Sequence, residues 1–139
     1  MDTITNSDFY SMVVIVLNIC RSEAYSHNPN TPLKIIVLGD SQIGKSSLIE
    51  TVLHNKFPKS LSESNHLQTS HATVTVDKTE YKLELTDSNS LAKLTDGNSI
   101  ATANCILLCF SCVDPSSLQN VEKIYLKEIK GPCNKAGKY

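Results

Sequence analysis

No excess of charge of either sign marks this chain. Its 13 Lys and Arg against 14 Asp and Glu leave a formal net charge of −1. The basic residues are scattered, so there is no electrostatic footprint for nucleic acid or for a membrane surface. A hydrophobic run of bilayer length is also lacking. The longest apolar stretch, Met12 to Leu17 and on to Cys20, falls far short of the roughly 20 residues a helix needs to span. Ahead of it stand Asp2 and Asp8 and no positive charge, which argues against a signal peptide. No prenylation box closes the chain, because Cys133 lies too far from Tyr139, so no lipid anchor is expected. The five cysteines are odd in number and irregular in spacing, which reads as reduced thiols in an intracellular, cytoplasmic protein. Cys109 and Cys112 are nominally CxxC, but an extended strand points the two sulfurs to opposite faces and so speaks against metal or redox use. The four histidines are dispersed, and none has a partner at ligand spacing.

What is present is enough apolar residue, 40% of 139, to bury the core of one domain. One motif also stands out. Gly39-Asp40-Ser41-Gln42-Ile43-Gly44-Lys45-Ser46 reads GxxxxGKS, directly after the apolar run Lys34-Ile35-Ile36-Val37-Leu38. A buried strand that ends in a loop and opens a helix presents backbone N–H groups and the positive helix end to phosphate. Lys45 is then placed for the outer phosphates and the Ser46 hydroxyl for Mg²⁺.

Along the chain, residues 1–32 form an N-terminal extension and linker. Met12–Ile19 is either a buried strand or part of a helix starting near Ser7, and periodicity does not decide between them. Ser26-His27-Asn28-Pro29-Asn30-Thr31-Pro32 is turn-rich and marks a boundary. Leu33–Leu38 is predicted as a buried strand, and Leu48, Ile49, Val52 and Leu53 recur at helical spacing from Lys45 to Asn55, where Phe57-Pro58 stops the helix. Residues 59–71 read as a polar loop. Ala72, Val74 and Val76, a turn at Asp77–Glu80, then Tyr81, Leu83 and Leu85 predict a hairpin. A second polar loop runs from Asp87 to Ala103. Cys105–Phe110 is a further apolar strand. Asp114-Pro115-Ser116-Ser117 starts a helix that carries Leu118, Val121, Tyr125 and Ile129 on one face until Gly131-Pro132. Two all-apolar strands suit the parallel centre of an α/β sheet covered by helices on both faces.

This order, with the segments Gly39-Asp40-Ser41…Gly44-Lys45-Ser46-Ser47-Leu48, Val74-Thr75-Val76-Asp77…Tyr81-Lys82-Leu83-Glu84-Leu85, Leu107-Leu108-Cys109-Phe110-Ser111…Val113-Asp114-Pro115-Ser116-Ser117 and Asn120-Val121…Glu128-Ile129-Lys130, resembles a Ras-superfamily small GTPase of the Rho-like branch. The resemblance covers about Leu33 to Cys133. It implies a P-loop NTPase-type three-layer sandwich whose mostly parallel central sheet has one antiparallel hairpin strand. Residues 33–133 would form a partial G domain and residues 134–139 a tail. It further implies GTP or GDP held by Ser41, Gln42, Ile43, Gly44, Lys45, Ser46 and Ser47, and Mg²⁺ by Ser46 and Asp87. Effector or regulatory proteins would meet residues 59–71 and 87–103.

The sequence departs from the family in four places. The family's DTAGQ is here Asp87-Ser88-Asn89-Ser90-Leu91, so Ser90 replaces the glycine that meets the γ phosphate and lacks its backbone freedom. Leu91 stands at the position of the water-orienting glutamine, so no catalytic side chain is assigned and hydrolysis is expected to be weak. The first switch loop is longer, and Leu67 falls where the Mg²⁺-binding threonine belongs, leaving Thr69 as a substitute if the loop rearranges. The family's C-terminal part, with its NKxD strand, is missing. Asn134-Lys135-Ala136-Gly137 lacks the aspartate and the preceding strand. That aspartate's charged hydrogen bonds to guanine are worth about 1.5–3 kcal/mol each, so guanine selectivity is expected to suffer. A missing strand would leave Cys105–Phe110 as an apolar edge open to aggregation. The first expectation is a marginal chain or a fragment of a longer product. The alternatives are a terminal helix over the exposed face, or Met12–Ile19, the only spare β-branched run, pairing with that edge.

The leading expectation is a Rho-like GTP-binding protein in signal transduction. The alternative is a pseudo-GTPase interaction module that has lost effective nucleotide binding. A P-loop ATPase or kinase is disfavoured because no second acidic strand or lid motif follows.

Overall fold

The computed structural model describes residues 12–18 (backbone), 30–56, 68–88, 100 and 102–129. Its strands are β1 (Met12–Asn18), β2 (Leu33–Leu38), β3 (Gln68–Val76), β4 (Thr79–Ser88) and β5 (Cys105–Ser111); its helices are α1 (Lys45–His54) and α2 (Pro115–Asn120). The five strands make one sheet in the order β1-β5-β2-β4-β3. β2 runs parallel to β4 and to β5, while β1 and β3 are antiparallel to their neighbours at the two edges. This is the mostly parallel α/β sheet of the sequence reading, with a second antiparallel strand.

The two-residue period of a strand sends alternate residues of β2 and β5 to opposite faces, and both faces are covered. On one face Val37, Leu85 and Cys109 pack with Ile43 and Ile49, under the phosphate-loop motif and α1. On the other, Ile36, Leu38, Ile106 and Leu108 pack with Val121, Tyr125 and Ile129. Residues 121, 125 and 129 recur every four positions, which keeps one stripe of α2 and its continuation on the sheet. Fully buried side chains of this size each contribute about 1.5–3 kcal/mol, so these central strands hold most of the core.

The helix ends follow local chemistry. α1 closes at Asn55, whose φ of 50° is the left-handed cap that asparagine tolerates. α2 opens on Asp114, which accepts from the Ser116 N–H at 3.1 Å, with Pro115 at the first helical position. Beyond Asn120 the helix widens into a π-helical segment, Val121–Tyr125, closed by the Leu126 N–H donating to the Val121 carbonyl.

Two loop expectations are corrected. β3 begins at Gln68, inside the stretch read as loop over 59–71, and pairs Gln68, Thr69, Ser70 and His71 with Asp87, Thr86, Leu85 and Glu84. Backbone pairing to β4 makes this polar stretch a strand, and its small, polar inward residue Ser70 conceals the alternation. The loop read over 87–103 likewise ends early, because Ile100 and Ala103 are 2% and 0% exposed and belong to the α2-side core. Asn104 fastens this turn to β2: its N–H donates to the Lys34 carbonyl and its side-chain oxygen accepts from the Lys34 N–H, both at 2.8 Å.

The edge of β5 is occupied by β1. Seven residue pairs, from Met12 opposite Ser111 to Asn18 opposite Cys105, put part of the N-terminal stretch into the main sheet. Of the arrangements weighed from sequence, this is the pairing of the spare β-branched run. The run is a strand rather than a helix because its partner is a neighbouring strand, and periodicity within the run carries no information about that neighbour.

Deleting residues 1–18 should lower the unfolding midpoint and produce concentration-dependent assemblies in light scattering, since β5 then becomes an unprotected apolar edge. The β3–β4 turn, Asp77-Lys78, has φ of 49° and 66°, the geometry that favours glycine at the second position. Lys78→Gly should therefore stabilise the hairpin by about 0.5–1 kcal/mol in thermal denaturation.

Candidate functional site

The motif from Gly39 to Ser46 lies at the C-terminal end of β2, where open parallel sheets place their ligands. Gly39 leaves the strand tight against β5. A Cβ there would strike the Cys109 carbonyl and the Ile43 side chain, so this position requires glycine for space. Gln42 and Gly44 have φ of 63° and 107°. The loop thus turns through left-handed backbone twice, once at a residue with a side chain. Ile43 is buried in the core between them and anchors the loop. Ser41 and Gln42 remain exposed.

Lys45 is only 5% exposed. Its Nζ donates to the Asp40 carbonyl at 2.6 Å. Burial lowers its pKa from the ordinary lysine value, with the nearby charge of Asp87 acting to raise it. Beside it, the Ser46 hydroxyl donates to Asp87 Oδ2 at 2.7 Å. Two residues 41 positions apart, both nominated as Mg²⁺ ligands, are thereby brought together. The last turn of β4 delivers Asp87 on the face that carries Leu85, toward α1.

Thr69 is not delivered there. It lies opposite Thr86, with the two hydroxyls 3.2 Å apart. Thr86 and Asp87 are successive strand residues and point to opposite faces, so Thr69 is on the face away from Asp87 and Ser46. In this arrangement of β3 Thr69 is not brought beside Ser46 and Asp87. Ser47 sits in the first turn of α1, where its carbonyl accepts from Thr51 Oγ1 at 2.7 Å. Leu67, Ser90, Leu91 and residues 130–139 lie outside the described residues.

Among the described residues no group of three or more His, Cys, Asp or Glu gathers, and no helix is long and apolar enough to cross a membrane. One carboxylate and one hydroxyl converging beside a buried lysine is a donor set that fits Mg²⁺, which is held through one or two carboxylates together with phosphate oxygens and water.

A profile of the Ras family matches residues 34–138. The chain belongs to the Ras family. Its curated relatives include the Rho-related protein racI of Dictyostelium discoideum, 32% identical over 100 residues, which are 70% of this chain and 48% of the relative. The Rho-related GTP-binding protein RhoV of Bos taurus is 34% identical over 107 residues, 76% of this chain and 45% of the relative. The GTP-binding protein RHO3 of Saccharomyces cerevisiae is 30% identical over 117 residues, 83% of this chain and 50% of the relative. This Ras-family chain is thus a divergent, Rho-like small GTPase and spans about half the length of the curated relatives it matches.

Sequence reasoning missed two residues at the loop. Asn120 Nδ2 donates to Asp40 Oδ2 at 2.7 Å and the Tyr125 hydroxyl donates to Asp40 Oδ1 at 3.0 Å. The sequence offers Tyr125 only as part of the apolar face of the helix predicted after Asp114 and Asn120 only as part of a family-like segment. No spacing rule connects positions 80 and 85 residues apart, although a carboxylate inside a phosphate-binding loop is itself a sign that donors must lie nearby.

Two outcomes test this geometry. Gly39→Ala should destabilise by about 1–3 kcal/mol in thermal denaturation, because the strand backbone at Cys109 cannot yield as a side chain would. Burial pushes the Cys109 thiol up to about 12 against the lowering influence of Lys45, whereas Cys112 is exposed. Maleimide at neutral pH, read by mass spectrometry, should therefore modify Cys112 and spare Cys109 until the protein unfolds.

Proposed function

We propose that this Rho-like chain binds guanine nucleotide together with Mg²⁺ through residues 41–47 and Asp87, and that it hydrolyses GTP weakly. The observation that carries the reading is the convergence of Ser46 Oγ and Asp87 Oδ2 at 2.7 Å beside the buried Lys45. One cation and two oxygens of the kind that bind Mg²⁺, gathered beside the loop, support this reading. The loop amides hold phosphate oxygens, and Lys45 exchanges the Asp40 carbonyl for the outer phosphates. Ser46 and Asp87 would hold Mg²⁺, which would neutralise charge on those phosphates. Weak hydrolysis follows from Leu91, an alkyl side chain that can neither donate to nor accept from an attacking water, and from Ser90 where a freer backbone is expected.

The same two substitutions also fit a second reading, an interaction module with the switch surfaces kept and effective nucleotide binding lost. Its partners would be effector or regulatory proteins at residues 59–71 and 87–103. Relatives named as GTP-binding proteins support the nucleotide reading over this one.

Fluorescent-nucleotide titration distinguishes them. GDP should bind in Mg²⁺, and Lys45→Ala should weaken binding by about a hundredfold or more. Asp87→Ala should remove most of the Mg²⁺ dependence. Binding by neither wild type nor variant would reject the nucleotide reading and leave the module. Single-turnover hydrolysis should fall below the order of 10⁻⁴ s⁻¹ and rise in Leu91→Gln; an unchanged rate in that variant would separate Leu91 from the defect.

A further inference from the structure

Asp40 is an awkward residue for a phosphate-binding loop, since its carboxylate adds negative charge where anionic oxygens are to be held. The structure turns that carboxylate to α2 and gives each oxygen a donor: Asn120 Nδ2 at 2.7 Å on Oδ2 and the Tyr125 hydroxyl at 3.0 Å on Oδ1. The main-chain carbonyl of the same residue accepts from Lys45 Nζ at 2.6 Å. One residue therefore joins α2, the loop and the phosphate-binding lysine.

The two donors reach one carboxylate because of the π-helical segment. In an α-helix, residues five apart are about 140° apart around the axis and could not both face Asp40. The Leu126 N–H bonds instead to the Val121 carbonyl, five residues back, which widens the turn and narrows the angle between positions 120 and 125. Such single widened turns are frequent at functional sites. Tyr125 is firmly placed, with its ring in the core beside Ile36, Leu38, Ile106 and Leu108. Burial, then the bond to Asp40, keeps its hydroxyl protonated and donating far above neutral pH. Two residues further along the loop, Gln42 holds a left-handed φ of 63°, which persists only where neighbouring structure fixes it.

We propose that Asn120 and Tyr125 are positioning residues for the phosphate loop: through Asp40 they hold the carbonyl partner of Lys45 and the amides of residues 41–46 in their phosphate-binding arrangement. Motion of the π-helical turn is thereby linked to nucleotide retention. The consequence for nucleotide rests on the guanine-nucleotide reading above, whereas the consequence for loop order does not.

The test uses the full chain. Dissociation of fluorescent GDP in Mg²⁺ is measured for wild type, Asn120→Ala and Tyr125→Phe, and for each change combined with Asp40→Ala. Hydrogen exchange of amides 41–46 is followed in parallel without nucleotide. Asp114→Ala, which removes the α2 cap, serves as the stability control. Each single change should speed GDP dissociation about two- to tenfold and accelerate exchange of the loop amides, and neither should add to Asp40→Ala. Asp114→Ala should lower the melting midpoint without speeding dissociation. The proposal is overturned if Asn120→Ala and Tyr125→Phe lower the midpoint but leave dissociation and loop exchange at wild-type values, or if their effects persist in full on the Asp40→Ala background. If wild type binds no GDP, the nucleotide reading fails separately and loop exchange decides: acceleration supports the clamp and unchanged exchange rejects it.

Discussion

An ammonium group taken out of water has to be compensated on the spot, and Lys45, only 5% exposed, sets that demand at the centre of this molecule. The local answer is the Asp40 carbonyl; the longer-range answer is the nearby charge of Asp87. Meeting both needs β2 to end where the loop begins and β4 to end beside the first turn of α1. It also needs β5 to pass close enough under Gly39 to exclude any side chain there. The site is therefore a product of three parallel strands ending at one level. A slip of one residue in β4 would put Thr86 where Asp87 stands.

The same arrangement explains the two-sided core. β2 and β5 are apolar on both faces, and α1 with the loop covers one face while α2 covers the other. Such a strand cannot be left at an edge without exposing apolar surface and unpaired backbone. β1 meets that requirement by pairing along β5 over seven residues, and β3 ends the opposite side with polar residues facing outward. The N-terminal stretch is thus tied to the domain by the backbone needs of β5.

Much of this was legible in the sequence. GxxxxGKS after an apolar run located the loop, Lys45 and Ser46, and Asp-Pro-Ser-Ser located the start of α2. The hairpin followed from alternation at Ala72, Val74, Tyr81, Leu83 and Leu85. Ile100 and Ala103 escaped notice because two apolar residues in a polar stretch have no period. The start of β3 was hidden because Ser70 is an inward residue without hydrophobic bulk. Thr69 was nominated by its proximity in sequence to the expected switch threonine, and strand pleat alone decided which face it takes.

The sequence by itself determined the chemistry of the loop, the class of the sheet and the likeness to Rho-related proteins, because those are set by residue types at short, fixed spacings. Tertiary structure alone decided that Ser46 meets Asp87, that β1 closes the β5 edge, and that Asp40 is held by Asn120 and Tyr125. These partners lie tens of residues apart, and strand register and a widened helical turn bring them together. Neither leaves a periodic mark in the chain.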